Sequence, residues 1–153
     1  MGKERIKNGT TTFILQADKE FGYFIPKLVA VGEITDSIPE RNNHYFDYLY
    51  MAKDSEGNIF EGHYDPFYDN TVIFFRNPEK QIEKAKEYLL KLVYIYVEED
   101  ERLNRLNSIL SIPKIDKEKI ENRIVIQKKV VKNLSARIEE VQRRLDEYIA
   151  VTK

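Results

Sequence analysis

Cysteine is missing from all 153 residues of the chain, and so is tryptophan. Without cysteine, disulfide bonds, thiolate metal sites and thiol nucleophiles are excluded. No apolar run approaches the roughly 20 residues that a membrane helix requires. No apolar signal region follows the first residues either. We therefore predict a cytoplasmic protein that does not enter a membrane.

Familiar catalytic motifs are also missing. The chain contains no P-loop, no glycine-rich dinucleotide motif, no serine-hydrolase elbow and no zinc-protease helix motif. Residues 1–76 carry eight Lys and Arg against twelve Asp and Glu, which disfavours a nucleic-acid partner. No cofactor is predicted, and a binding protein is favoured over an enzyme.

The first half of the chain has the composition of β-strands. Residues 10–15, 22–32, 44–53, 58–64 and 71–75 are rich in β-branched and aromatic side chains. Pro26 marks the second run as an edge or bulged strand, and residues 33–43 are predicted to form a loop. Gly57 ends a turn at 54–57 that requires a positive φ angle. We predict a small antiparallel sheet or partly open barrel over residues 1–76.

The second half predicts an antiparallel hairpin of two long helices, 77–111 and 116–151, within a domain 77–153. Asn77 and Asp116 are suitable N-caps, and Pro78 stands at the first helical position. Both helices repeat apolar residues at alternating steps of three and four, as coiled coils do. The fold class is therefore α+β: a β-rich N-terminal domain followed by a coiled-coil-like hairpin.

The apolar seam of the hairpin predicts a homo-oligomer, dimer or higher. Helix one is apolar nearly all round from Tyr88 to Val97, so burial on several sides is expected. The alternative is that one side packs on the protein's own sheet. Glu99 and Gln127 interrupt the seams, near Val131 and Leu103, and either fix the register or lie at exposed flanks. The predicted seam residues are Leu89, Leu92, Tyr96, Leu103, Leu106, Val131, Leu134, Ile138, Val141 and Leu145.

Both histidines fall in the predicted central hairpin of the β domain. If Met51 faces Phe60, one face of this hairpin carries both histidines, aromatic side chains and a carboxylate. These residues are His44, Phe46, Tyr48, Tyr50, Glu61 and His63. The candidate ligand-binding residues are Tyr48, Tyr50, Glu61, His63 and Arg76, and the candidate metal ligands are His44, His63 and Asp65. The alternative is that the tyrosines only pack or cover the surface.

These features predict an oligomeric, non-enzymatic binding protein that blocks or sequesters a protein partner or a small ligand. A bacterial or phage accessory factor fits this composition. One alternative is a phage-type sponge for a small nucleotide signal, with Arg76 or Arg102 meeting phosphate. Another is a metal-dependent hydrolase or nuclease built on His44, His63 and nearby carboxylates. A purely structural assembly protein is a further alternative.

Overall fold

The computed structural model describes residues 4–41, 46–66 and 72–153, with all of their side chains except those of residues 22 and 23. The strands are β1 (Thr11–Asp18), β2 (Gly22–Arg41), β3 (Phe46–Asp54), β4 (Ile59–Tyr64) and β5 (Ile73–Arg76). The helices are α1 (Pro78–Ile109) and α2 (Lys117–Ala150). The predicted α+β fold, a β-rich N-terminal part followed by a pair of long helices, is confirmed.

The five strands form a closed ring, in which each strand pairs with two neighbours in the order of the sequence and β5 returns to β1. Four of the five pairings are antiparallel, whereas β4 and β5 pair in parallel over two residue pairs. A cluster of Ile14, Ile34, Tyr50, Ala52 and Phe75 fills the core. Each of these residues is at most 1% exposed.

The prediction of a loop over 33–43 is wrong, because β2 continues as a strand to Arg41; residues 42 and 43 lie outside the described part. The first part of β2 pairs with β1 and the second with β3. Near the change of partner, Gly32 faces both strands, and a Cβ there would stand 2.5 Å from the Lys53 carbonyl oxygen. Beyond this point β2 pairs with β3, so Pro39 fits a strand with a partner on one side.

The predicted register between β3 and β4 is wrong by one residue. Phe60 pairs with Ala52 rather than with Met51. Gly57 does have the expected positive φ, 86°. Asn58 also belongs to the turn, since its amide donates to the Asp54 carboxylate at 2.9 Å. Because side chains alternate between faces, this single slip moves Glu61 and His63 away from the face of Tyr48 and Tyr50.

Both helices begin where their capping residues predict. The amide of Lys80 donates to the Asn77 side chain at 3.1 Å, and that of Lys119 donates to Asp116 at 3.2 Å. These bonds satisfy amides of the first turn that have no intrahelical acceptor. Within the described ranges, neither helix combines the length and the hydropathy of a membrane span.

Residue contacts divide the chain into two compact units. The first comprises Met1–Ala85 together with Arg144–Lys153, so it contains the strand ring, the start of α1 and the end of α2. The second comprises Lys86–Arg143, the remainder of the hairpin.

Candidate functional site

An aromatic row crosses the first unit along β3 and β4. It consists of Phe46, Tyr48, Tyr50 and Tyr64, whose successive ring centroids are 5.0, 5.9 and 6.0 Å apart. Burial raises the pKa of Tyr50, and it raises the pKa of Tyr64 to about 12. The Tyr50 hydroxyl accepts a hydrogen bond from the Ile6 amide at 2.8 Å. Tyr50 is 1% exposed and thus belongs to the core of the ring, against which the half-buried Tyr64 packs.

The other end of the aromatic row is accessible. Phe46 and Tyr48 are half-buried, and the guanidinium of the exposed Arg41 stands 5.3 Å from the Phe46 ring centre. We call Arg41, Phe46 and Tyr48 the rim site. Its two rings meet nearly edge to face, at 78°. A cation beside fixed aromatic rings can hold a flat or anionic group.

His63 lies on the opposite face from the aromatic row. Its Nε2 is 2.5 Å from Glu40 Oε1, and Leu49 is its cross-strand neighbour. Glu61 is exposed on this same face, and His44 lies outside the described residues. In the parts of the chain that the structure describes, no three His, Asp or Glu residues are grouped as metal ligands would be. Among the described candidate residues, Glu61 and His63 therefore lie on the face opposite Tyr48 and Tyr50.

Arg76, a predicted ligand residue, is 2% exposed. Its Nε donates to Asp65 at 3.0 Å, and its Nη1 donates to Gln81 Oε1 at 2.6 Å. Burial alone would raise the pKa of Asp65, but hydrogen bonding to Lys80 and the charge of Arg76 outweigh it, so this pKa lies below its usual value. Arg76 and Asp65 thus form an internal ion pair between the ends of β4 and β5, and the bond to Gln81 ties Arg76 to the first turns of α1.

Three successive carbonyl groups near the start of β2 accept hydrogen bonds from helix side chains. Gln81 donates to the Phe24 carbonyl at 2.8 Å, Arg144 donates to that of Ile25 at 2.7 Å, and Tyr148 donates to that of Pro26. Residues 23–26 lie where the pairing of β2 with β1 is interrupted, so these donors replace missing strand partners. The sequence does not predict that these helix side chains donate to β2, since no pattern near them in the sequence indicates a hydrogen bond to a distant strand.

Arg144 also forms a buried ion pair in the first unit. Its Nη2 is 2.8 Å from Asp18 Oδ2, and its guanidinium lies 4.7 Å from the Phe21 ring centre. Burial alone would raise the pKa of Asp18, but the Glu20 amide and Arg144 outweigh that effect and lower it. Such a pair, occupied on all sides, is structural in character.

Glu99 and Gln127 join the helices in the second unit. Gln127 Nε2 lies 2.8 Å from the Glu99 carbonyl oxygen and 2.7 Å from its carboxylate. Farther along, Arg137 donates to the Tyr88 hydroxyl at 2.9 Å. The prediction that Glu99 lies near Val131 is wrong by about one helical turn. Gln127 is buried, so the interpretation that both polar residues lie on exposed flanks is also wrong.

The predicted seam residues of this unit lie on the stripes that carry Glu99 and Gln127. Leu92 and Val141 are buried, and the others are half-buried: Leu89, Tyr96, Leu103, Leu106, Val131, Leu134 and Ile138. Leu145, the remaining seam residue, is buried in the first unit. The seam between the helices therefore covers much of its own apolar surface, and its part in oligomerisation stays a prediction.

A second apolar surface on α1 is open to solvent. Leu90, Val93, Tyr94 and Val97 are 55, 39, 64 and 48% exposed. Their spacing of three and four residues puts them on one side of the helix, about 150° from Leu92 in the seam. We call these four residues the outer α1 face.

Two open hollows, of about 400 and 380 Å³, lie on the first unit, beside the Thr11 end of β1. Neither is lined by residues of the rim site or by His63.

The chain matches no protein-family profile, no curated protein and no solved structure. The candidate functional surfaces are therefore the rim site and the outer α1 face, chosen on geometry alone.

Proposed function

We propose that this protein is a non-enzymatic, oligomeric binding protein that sequesters or blocks a partner. The hairpin assembles the subunits, and the strand ring presents the recognition surface. The outer α1 face is the observation that carries this proposal. A helix that is apolar on two opposite sides needs two covering partners, and α2 supplies one of them.

The exposed area of the outer α1 face supports association. Four large side chains that are about half exposed present roughly 350 Å² of apolar surface, in the range of the largest patches on monomeric proteins. Such patches mark protein contacts more often than isolated apolar residues do.

The rim site supports the recognition half of the proposal. Phe46 and Tyr48 are held by ring-to-ring contacts and by strand pairing, so a partner need not order them on binding. Arg41 adds a fixed positive charge to an acidic domain. This combination favours a partner that offers a flat or carboxylate-bearing group, such as an acidic segment of a protein or an anionic small molecule.

The assembly is tested by light scattering coupled to size-exclusion chromatography at micromolar concentration. We expect a multiple of the 18.2 kDa chain mass, and we expect Leu90→Glu to lower it. Ile112→Glu is the matched control, since Ile112 is 50% exposed and belongs to the connection that joins α1 to α2. A wild-type monomer would overturn the oligomeric half of the proposal.

Recognition is tested by native mass spectrometry and pull-down of protein purified without denaturation from its host. We expect a retained small mass or a co-purified protein that the Arg41→Ala, Phe46→Ala double variant loses while its oligomer mass is unchanged. Equal retention by wild type and variant would remove the rim site from the proposal.

A further inference from the structure

We propose that the outer α1 face binds the same face of a second copy, with the two α1 helices antiparallel about a twofold axis between Val93 and Tyr94. This inference rests on the oligomeric half of the proposed function and specifies its interface. The first argument is the order of the apolar residues. Antiparallel pairing centred there puts Leu90 against Val97 of the other copy, and Val93 against Tyr94.

The flanking charges give the second argument, because they complement one another in this orientation. Lys86 and Glu101 lie on the same side of α1 as the apolar residues, nearly equidistant from the proposed axis. Antiparallel pairing therefore puts each Lys86 beside the Glu101 of the other copy. Both side chains are exposed. A twofold interface contains this pair twice.

A second pair of charges agrees with this orientation. Lys91 and Glu98 share one flank of the outer α1 face and are also exposed. Antiparallel pairing puts the Glu98 of one copy within about one helical turn of both Lys91 and the exposed Glu87 of the other, so Lys91 offsets the repulsion between the two glutamates. Parallel pairing would instead put Lys86 beside the Lys86 of the other copy and Glu101 beside its Glu101, and it would put Lys91 and Glu98 on opposite flanks from their counterparts. Like charges at such flanks disfavour that alternative.

The available area is sufficient for a specific contact. The two apolar faces together contribute roughly 700 Å², and the charged flanks raise the total toward the 1,000 Å² or more that specific interfaces bury. Because interface cores are apolar and their rims polar, four apolar residues bordered by paired charges have the expected arrangement. A second copy of this chain therefore fits the face by both area and charge.

Charge reversal tests the orientation. The dimer dissociation constant is measured by sedimentation at several concentrations for wild type, Lys86→Glu, Glu101→Lys and the double variant. Each single change puts like charges together twice, so we expect roughly tenfold weaker association. The double variant restores opposite charges and should return to within about threefold of wild type. Unchanged association in both single variants would overturn the antiparallel pairing.

The absence of cysteine provides an independent test. Ser108→Cys introduces one thiol near the end of α1, where a spin label can be attached and the distance between copies measured. Antiparallel pairing predicts about 44 Å between the labelled backbones, from 1.5 Å per residue. Parallel pairing predicts less than about 20 Å. A short distance in a protein that is dimeric overturns this inference alone, whereas a monomer overturns it together with the proposed assembly.

Discussion

Replacing Arg144 with methionine should destabilise the first unit strongly. Arg144 is 6% exposed. It donates to the Ile25 carbonyl at 2.7 Å and pairs with Asp18 at 2.8 Å. Methionine keeps much of the apolar stem but leaves both acceptors without this donor. An unsatisfied buried acceptor costs about 1–3 kcal/mol, and breaking a buried ion pair costs about 3–5 kcal/mol.

These two effects share one side chain and are not additive. The Asp18 carboxylate also keeps the Glu20 amide as a donor, at 2.9 Å. We therefore expect a loss of about 3 kcal/mol, a large part of the 5–15 kcal/mol typical of a folded domain. The neighbouring Arg143 is the matched control, because it is 57% exposed and pairs with Glu140 at three residues' spacing. Arg143→Met should cost no more than about 0.5 kcal/mol.

The assay is equilibrium unfolding in urea. Tyrosine fluorescence and helical circular dichroism are both followed, since the chain has ten tyrosines and no tryptophan. Asp18→Asn with Arg144→Met completes a double-mutant cycle, and the double variant should lose less than the sum of the two single losses. If Arg144→Met and Arg143→Met agree within about 0.5 kcal/mol, the assignment of a structural role to the Arg144 pair is refuted.

Two further predictions concern the Glu99–Gln127 contact in the seam and the stability of the protein at low pH. Gln127→Leu should lower the free energy of unfolding by about 1–2 kcal/mol, because the half-buried Glu99 carboxylate loses a hydrogen-bond donor. The double variant Gln127→Leu, Glu99→Leu should leave this free energy unchanged or raise it. Urea unfolding checks both. The lowered pKa values of Asp18 and Asp65 contribute stability above the ordinary value of 3.8 that is lost as pH falls below it. The urea concentration at the unfolding midpoint should therefore decrease when the pH is lowered below about 4, and it should decrease less in Asp65→Asn than in wild type. An equal decrease in both proteins would contradict the role of Asp65.

The helices could be predicted from the sequence because their signals are local. Asn77 and Asp116 each accept a hydrogen bond from an amide three residues ahead, so the caps can be read directly. The apolar repeat depends on steps of three and four residues along the same helix. Exact pairing between the helices was missed by about one turn, since the Glu99–Gln127 contact depends on how the intervening connection bends.

The strands were harder to predict because their pairing is not local. Residues 33–41 contain Asp36, Ser37 and Pro39, all typical of loops, yet the segment is a strand because β3 pairs with it. The β3–β4 register changed because Asn58 joined the turn through the Asp54 side chain. The alternation of polar and apolar residues along a single strand shows neither effect. An error of one residue in the register then assigns every side chain of the strand to the wrong face of the sheet.

The same distinction between local and distant contacts separates Arg76 from the outer α1 face. Arg76 was expected to meet a ligand phosphate, but its guanidinium is occupied by Asp65 and Gln81. Its burial depends on where Asp65 and Gln81 lie in the fold, which the residue's own neighbours in the sequence do not show. The outer α1 face, by contrast, follows from helical spacing within eight residues. The apolar face of a long helix can thus be derived from the sequence, whereas the faces of a closed ring require the strand register first.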